Sequence, residues 1–336
     1  MIDKFDMRRL AILDDYHRFA TAAVDWSGVA AECSVSVFDR HLEQAEAASV
    51  LKDFEIVCTL RERMAFPQSL IESLPSLRLI AATGARHHRS MDIDAATSRG
   101  IICCYTTGQG SGVNAPAEHV WALILALARH LPMEVNNMRR GGWQTTVGIA
   151  LRGRTLGLLG LGRIAQAMCP VARAFGMDVI AWSQNLTEAR ATEHGVRLVT
   201  KDALFRESDF LSVNVMLSER TLNLVRAREI GLMKPTAFLI NTARGPIVNE
   251  DDLVDALETK QIAGAALDVF DLEPLPDDHR LRRLGNCLLT PHLGYNVQEL
   301  LTVFYQETVE NVLMYLKGTP IRVLNPDVLK ERGASS

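Results

Sequence analysis

The chain lacks the features that would mark several whole classes of protein. Its six cysteines, at 33, 58, 103, 104, 169 and 287, form no C-x-x-C pair and stand at no zinc-like spacing with histidine. Most lie in apolar segments such as GIICCY (100–105), so they read as small buried hydrophobes in a reducing compartment. A basic surplus is missing too. The 36 Lys and Arg against 40 Asp and Glu leave a formal charge of −4, and runs such as Arg280-Leu281-Arg282-Arg283 are too short to make a surface for nucleic acid or anionic membrane. VWALILALA (120–128), the longest apolar stretch, falls far short of the ~20 residues that span a bilayer. The opening MIDKFDMRRLAILDD carries acids where a signal peptide needs an apolar core, so the expected location is cytoplasmic. Low-complexity segments and short repeats are absent.

What is present is a chain of 336 residues, more than one usual core, which predicts two domains. Short runs rich in Val, Ile and Leu alternate with helical patterns. The first series is LAILDD (10–15), VSVFD (35–39), EIVCTL (55–60), LRLIAAT (77–83) and GIICCY (100–105). The second is TLGLLG (155–160), DVIAW (178–182), VRLV (196–199), DFLSVNV (209–215), AFLINT (237–242), GAALDV (264–269) and CLLTPH (287–292). Continuous apolar strands separated by helices indicate parallel sheets covered on both faces. The fold class is therefore α/β, with two doubly wound, Rossmann- or flavodoxin-like domains and a cleft between them.

Between the two series lies APAEHVWALILALARHLPMEV (115–135), read as one long helix so apolar that it must be buried. VQELLTVFYQETVENVLMYLKG (297–318) is a second long helix, and 319–336 read as a surface tail. If the second helix returns to the first domain, the domains are 1–113 with 298–336, and 114–297.

The strongest local signal follows TLGLLG. Gly160, Gly162 and Ala165 form G-x-G-x-x-A between a strand and a helix. One glycine permits the tight turn, the next lets backbone approach a pyrophosphate, and the alanine allows close helix–strand packing. The alternative is a glycine turn serving packing alone. About 20 residues on, where an NAD enzyme usually carries an acid for the ribose hydroxyls, the chain reads Trp182-Ser183-Gln184-Asn185. Without a carboxylate nothing there repels a 2′-phosphate, and without an adjacent Arg or Lys nothing attracts it. The cofactor is NAD or NADP.

GLLGLGRIAQA, followed by LMKPTAFLINTARGPIVNE, GAALDVFDLEPLP and LLTPHLGY, resembles the D-isomer-specific 2-hydroxyacid dehydrogenase family. The likeness extends to TGARHHRSMDIDAA (83–96) and APAEH (115–119), and is greatest to the short hydroxypyruvate or glyoxylate reductases. It implies an enzyme that interconverts a small 2-keto acid and its D-2-hydroxy acid, and a homodimer.

The resemblance assigns roles residue by residue. Arg244 falls on the catalytic arginine; a guanidinium at a strand's carboxyl end can grip a substrate carboxylate with its planar fork and polarise the neighbouring carbonyl. Otherwise it is an exposed turn arginine. His292 falls on the general acid/base, in place of a satisfied core histidine. Glu273 falls on the carboxylate that orients it; the residues alone would not separate it from Asp271, Asp277 and Asp278. Asp268 matches the residue that holds the nicotinamide amide, and Arg163, Ile164, Thr242, Ala243, Gly294 and Tyr295 match cofactor-lining positions beside Gly160, Gly162 and Ser183. The substrate loop matches Gly84, Ala85, Arg86, His87 and His88, and is one residue longer and more basic than the usual version. His87 and His88 are adjacent and poorly placed to chelate one metal, so no metal is expected. Two alternatives share the fold. A formate dehydrogenase is disfavoured because its histidine pairs with a neutral Gln rather than a Glu; a nucleotide-sensing corepressor gains no support from any added interaction segment.

Overall fold

The computed structural model describes residues 7–84, 90–110 and 112–333. Each apolar run named above contributes a strand. β1 (Arg8–Ile12), β2 (Cys33–Val37), β3 (Ile56–Thr59), β4 (Leu79–Ala82) and β5 (Ile102–Cys104) form a five-stranded sheet in the order β2-β1-β3-β4-β5. β6 (Thr155–Leu159), β7 (Asp178–Trp182), β8 (Arg197–Leu198), β9 (Phe210–Val213), β10 (Phe238–Asn241), β11 (Gly264–Leu267) and β12 (Cys287–Leu289) form a seven-stranded sheet in the order β12-β11-β10-β9-β6-β7-β8. Both are parallel throughout. The first two strands start earlier than their apolar runs, because the ladder from Arg8↔Cys33 to Ile12↔Val37 draws polar residues into regular pairing.

The chain divides into two compact units, residues 1–113 with 297–336, and residues 114–296. In the first, β3, β4 and β5 are buried at every position, and Leu51, Phe54, Phe66, Ile71 and Leu74 pack into one cluster with them. Helix Gln298–Leu316 belongs here and buries Leu300, Leu301, Phe304, Tyr305, Val309 and Val312. The stretch from 319 onward is more than a surface tail. Leu324 N donates to Cys103 O at 2.7 Å, buried Asn325 bonds Cys103 N, Ile101 O and Thr97 Oγ1, and helix Asp327–Gly333 buries Val328. Backbone pairing with β5 anchors a segment whose polar composition suggested solvent.

In the second unit the strands β6, β9, β10 and β11 are covered on both faces. One face carries Val120, Trp121, Ile124, Met168 and Ala172 from helices Ala115–Ala128 and Arg163–Ala174; the other carries Leu204, Phe205, Ile230, Leu253 and Leu257. The run 115–135 is two helices, not one: Ala115–Ala128 is followed by Leu131–Arg139. His130 sits at φ 50, in the left-handed region, and Pro132 cannot supply an amide hydrogen to continue the first helix. The first helix finds its burial against β10 and β11 of its own unit, whereas the second buries no residue at all. Among the described residues no helix is long and apolar enough to cross a membrane.

Candidate active site

Arg244, Glu273 and His292 follow the carboxyl ends of β10, β11 and β12, three neighbouring strands of a parallel sheet. Open α/β sheets bind ligands at this edge. Buried Asn241 ends β10 and shapes the next turn from both sides of its amide: its oxygen accepts Ala243 N at 3.1 Å and its nitrogen donates to Arg244 O at 3.0 Å. Half-buried Arg244 then precedes the short helix Gly245–Ile247, with Nη1 donating to Ala243 O at 2.6 Å. Gly245 is required. A Cβ there would lie 2.1 Å from the carbonyl carbon of Phe270 and 2.6 Å from Asp271 N, so the turn carrying Arg244 rests against the backbone that leads to Glu273.

Glu273 uses both carboxylate oxygens. Oε1 accepts Phe270 N at 2.9 Å, and Oε2 lies 2.6 Å from His292 Nδ1. An ionised carboxylate can only accept, so Nδ1 carries the hydrogen and Nε2 is left to give or take a proton. The ring of Tyr295, itself 5 % exposed, packs edge-on against the imidazole with centroids 5.4 Å apart.

His292 stands at φ 53, a left-handed conformation that costs energy for any residue with a side chain. The amides that follow it are held by Asp268, just beyond β11 and 0 % exposed: Leu293 N donates to Oδ1 at 2.7 Å and Gly294 N to Oδ2 at 2.9 Å. Thr290 Oγ1 adds a bond to Oδ1 at 2.6 Å, and His119 Nε2 lies 3.1 Å from the same oxygen. Burial pushes this carboxyl up, but the His119, Thr290 and Leu293 donors outweigh it and hold it below the usual aspartate value.

The glycine turn lies at the end of β6, where the chain order switches sides between β7 and β9. Gly160 has φ 101 and donates to Trp182 O at 2.8 Å; a Cβ on it would press on Val215 Cγ1 at 2.8 Å. Around Gly162 the reverse holds, since a Cβ there would meet nothing within 4 Å. Gly162 is also the N-cap of the twelve-residue helix Arg163–Ala174 and offers no side-chain cap. Open space in front of a long helix's positive end fits the pyrophosphate of a dinucleotide. Ala165 is fully buried against the sheet, while half-buried Ser183 follows β7, with no carboxylate from 183 to 187. Ile164 is half-buried and Arg163 exposed at the start of the helix; Thr242 and Ala243 lie in the Arg244 turn.

In the other unit, Gly84 follows β4 at φ 104, donates to Thr106 Oγ1 at 2.7 Å, and could not carry a Cβ without meeting Arg61 Nη1 at 2.6 Å. Ala85, Arg86, His87 and His88 lie outside the described residues. Among the described residues there is no group of three or more His, Cys, Asp or Glu that could hold a metal ion.

Asn241, Gly245, Thr290 and His119 shape the site and were not singled out by sequence. Sequence spacing puts Pro116 and His119 on one face of a helix, but only the structure shows that both border Gly294.

A model of the NAD-binding domain of D-isomer specific 2-hydroxyacid dehydrogenases matches residues 121–294. A D-3-phosphoglycerate dehydrogenase of Synechocystis sp. is 35 % identical over 298 residues, 86 % of this chain and 53 % of that protein. The chain thus spans about half the length of that relative. A glyoxylate reductase of Thermococcus litoralis is 36 % identical over 272 residues, 78 % of this chain and 81 % of that one. Among solved structures, a phosphoglycerate oxidoreductase from Vibrio cholerae superposes with a TM-score of 0.87 at 32 % identity, covering 93 % of this chain and 100 % of the other.

Proposed function

The chain belongs to the D-isomer specific 2-hydroxyacid dehydrogenase family, and from that premise we propose an NAD(P)-dependent oxidoreductase that interconverts a small 2-keto acid and its D-2-hydroxy acid. The observation that carries this reading is the 2.6 Å pair of His292 Nδ1, after β12, and Glu273 Oε2, after β11, next to β10 and its Arg244 turn. A histidine whose Nδ1 is committed to a carboxylate has one remaining nitrogen, Nε2, with which to move a proton.

Arg244 grips the substrate carboxylate with its planar fork and draws electron density from the adjacent carbonyl. His292 Nε2 donates a proton to the carbonyl oxygen during reduction and recovers it during oxidation. Glu273 fixes the ring and its tautomer. Gly84, Ala85, Arg86, His87 and His88 are read as the substrate loop and their unit as the substrate-binding domain, while residues 114–296 are read as the dinucleotide-binding domain. Gly160, Gly162, Arg163 and Ile164 would hold the pyrophosphate, Ser183 the adenosine ribose, and Thr242, Ala243, Asp268, Gly294 and Tyr295 the rest of the cofactor. When bound, the nicotinamide supplies or accepts the hydride.

Glyoxylate, the substrate in the name of the Thermococcus relative, is the first keto acid to try. The lack of a carboxylate near Ser183 supports the use of NADPH at least as readily as NADH. Helix Leu131–Arg139 exposes Leu131, Met133, Val135 and Met138, and Trp143 and Val147 beyond it are 73 % and 91 % exposed; an apolar surface of this kind supports a homodimer. Five of the six free cysteines are buried and none is paired, which supports the cytoplasm as the compartment. The deciding experiment follows oxidation of NADPH and NADH with a panel of 2-keto acids. Turnover is the expected result. Cofactor binding without turnover of any member would overturn the enzyme in favour of a nucleotide sensor.

A further inference from the structure

We propose that His119 is a positioning residue for the acid–base histidine, acting through Asp268 and Thr290 to hold segment 290–294 in the turn that presents His292. This inference rests on the role given to His292 above.

The starting point is the backbone. A non-glycine residue in the left-handed region persists only where its surroundings leave it no alternative. Around His292 the backbone on both sides is held by one carboxylate. Asp268 takes the amides of both following residues, Leu293 and Gly294, and the hydroxyl of Thr290, two residues before. Its position therefore sets the turn on both sides of His292.

Asp268 must itself be held, and the group that holds it comes from a different element. His119 Nε2 lies 3.1 Å from Asp268 Oδ1 and 3.2 Å from Thr290 Oγ1. Because the carboxylate accepts and the Thr290 hydroxyl already gives its hydrogen to Oδ1, Nε2 must be the donor. His119 sits in the first turns of helix Ala115–Ala128, where the following Val120 and Trp121 are buried in the core. The same face packs on the turn, since a Cβ built on Gly294 would lie 3.9 Å from both Pro116 Cα and His119 Cδ2, and 3.3 Å from Asp268 Oδ2. A rigid helix thus reaches the amide next to His292 in two hydrogen-bonded steps, with no contact to the reacting atoms required of His119.

The test compares His119→Phe, which keeps a ring and loses the donor, with His119→Gln, which keeps an N–H donor. Three quantities are read: kcat and KM for the best keto acid, the dissociation constant of NADPH, and the far-downfield proton signal of His292 Nδ1–H. That signal is assigned by its loss in His292→Gln, because His41, His119 and His279 also meet carboxylates. We expect His119→Phe to lower kcat by about 10²-fold, the scale of a misplaced catalytic group, with KM and NADPH affinity little changed and the His292 signal shifted or broadened. His119→Gln should recover most of both kcat and the signal. Should His119→Phe fail to fold, Thr290→Val removes another donor to Asp268 and carries the same expectation. Unchanged kcat and an unchanged signal in a folded variant would overturn the proposal. So would weakened NADPH binding at preserved kcat, which would assign the network to the cofactor instead. If the wild type reduced no keto acid but the signal still responded to His119→Phe, the enzymatic reading would fall and the positioning role would stand.

Discussion

Replacing Asp268 by Asn keeps the shape of a fully buried side chain and removes half its accepting capacity. In the protein one oxygen takes Thr290 Oγ1, Leu293 N and His119 Nε2, and the other takes Gly294 N. The less damaging orientation of an Asn leaves its oxygen in the first position and turns its NH2 toward Gly294 N–H, donor against donor. One buried donor without an acceptor costs about 1–3 kcal/mol, and the bonds that survive lose the charge that makes them roughly twice as strong as neutral ones. The expected destabilisation at neutral pH is about 2–4 kcal/mol. Its pH dependence has a definite sign. The folded state holds the Asp268 carboxyl below its ordinary value, so its contribution is fully present above the unfolded pKa of about 3.9 and is lost as pH falls through the folded value. The difference between wild type and Asp268→Asn should therefore be widest near neutrality and close in acid. Urea unfolding of both proteins, without cofactor, from pH 7 to well below about 3.9 measures it. A difference under about 0.5 kcal/mol at pH 7, the scale of an ordinary surface substitution, or a gap that widened in acid, would refute the reasoning.

Arg244→Lys keeps the charge and loses the fork; kcat/KM for the best keto acid should fall by about 10²–10³-fold with cofactor affinity little changed, and wild-type kcat/KM would rule out the carboxylate clamp. Ser183→Asp should shift preference toward NADH by repelling the 2′-phosphate; a wild type that already strongly favoured NADH would show that the discrimination lies elsewhere. Gly245→Ala places a methyl group 2.1 Å from the carbonyl carbon of Phe270, which only a backbone shift can relieve. It should cost about 1–3 kcal/mol in an unfolding titration and lower kcat through displacement of Arg244 and Glu273, and a variant with wild-type kcat would mean that the two loops move independently.

The strands were legible because most are short apolar runs, and the central ones are buried on both faces, a pattern that survives without any knowledge of neighbours. Burial of every residue of β9, β10 and β11 is the physical counterpart of FLSV, FLIN and GAAL in the sequence. Helix ends were less legible. Apolar residues resume at Leu131 and Met133 after Arg129 and His130, so the run read as one helix although Pro132 and the left-handed His130 break it there. The segment after 319 misled for the opposite reason: Asn325 is polar but spends its whole amide on backbone and Thr97, a satisfaction no composition reports. Within the site, the Arg244 turn and the His292 turn announced themselves by motif. Glu273 did not stand apart from its acidic neighbours until its Oε2 was seen against Nδ1. His119 was invisible as a partner of Thr290, 171 positions away in the chain.

The sheet order explains why so few residues need to be specified. Parallel strands all end at one edge, and β10, β11 and β12 are adjacent, so strand ends 20–30 residues apart in sequence are brought within two strand spacings, roughly 10 Å. Each strand then needs only one group at its end, provided the connection is rigid there. Rigidity is supplied by buried polar side chains: Asn241 brackets the turn after β10, and Asp268 the turn after β12. Charge is consequently worth most where it is least visible. Asp277 and Asp278 lie in solvent, where removing one carboxylate alters little, whereas the buried Asp268 carboxylate fixes the geometry of the imidazole one residue from its nearest bond.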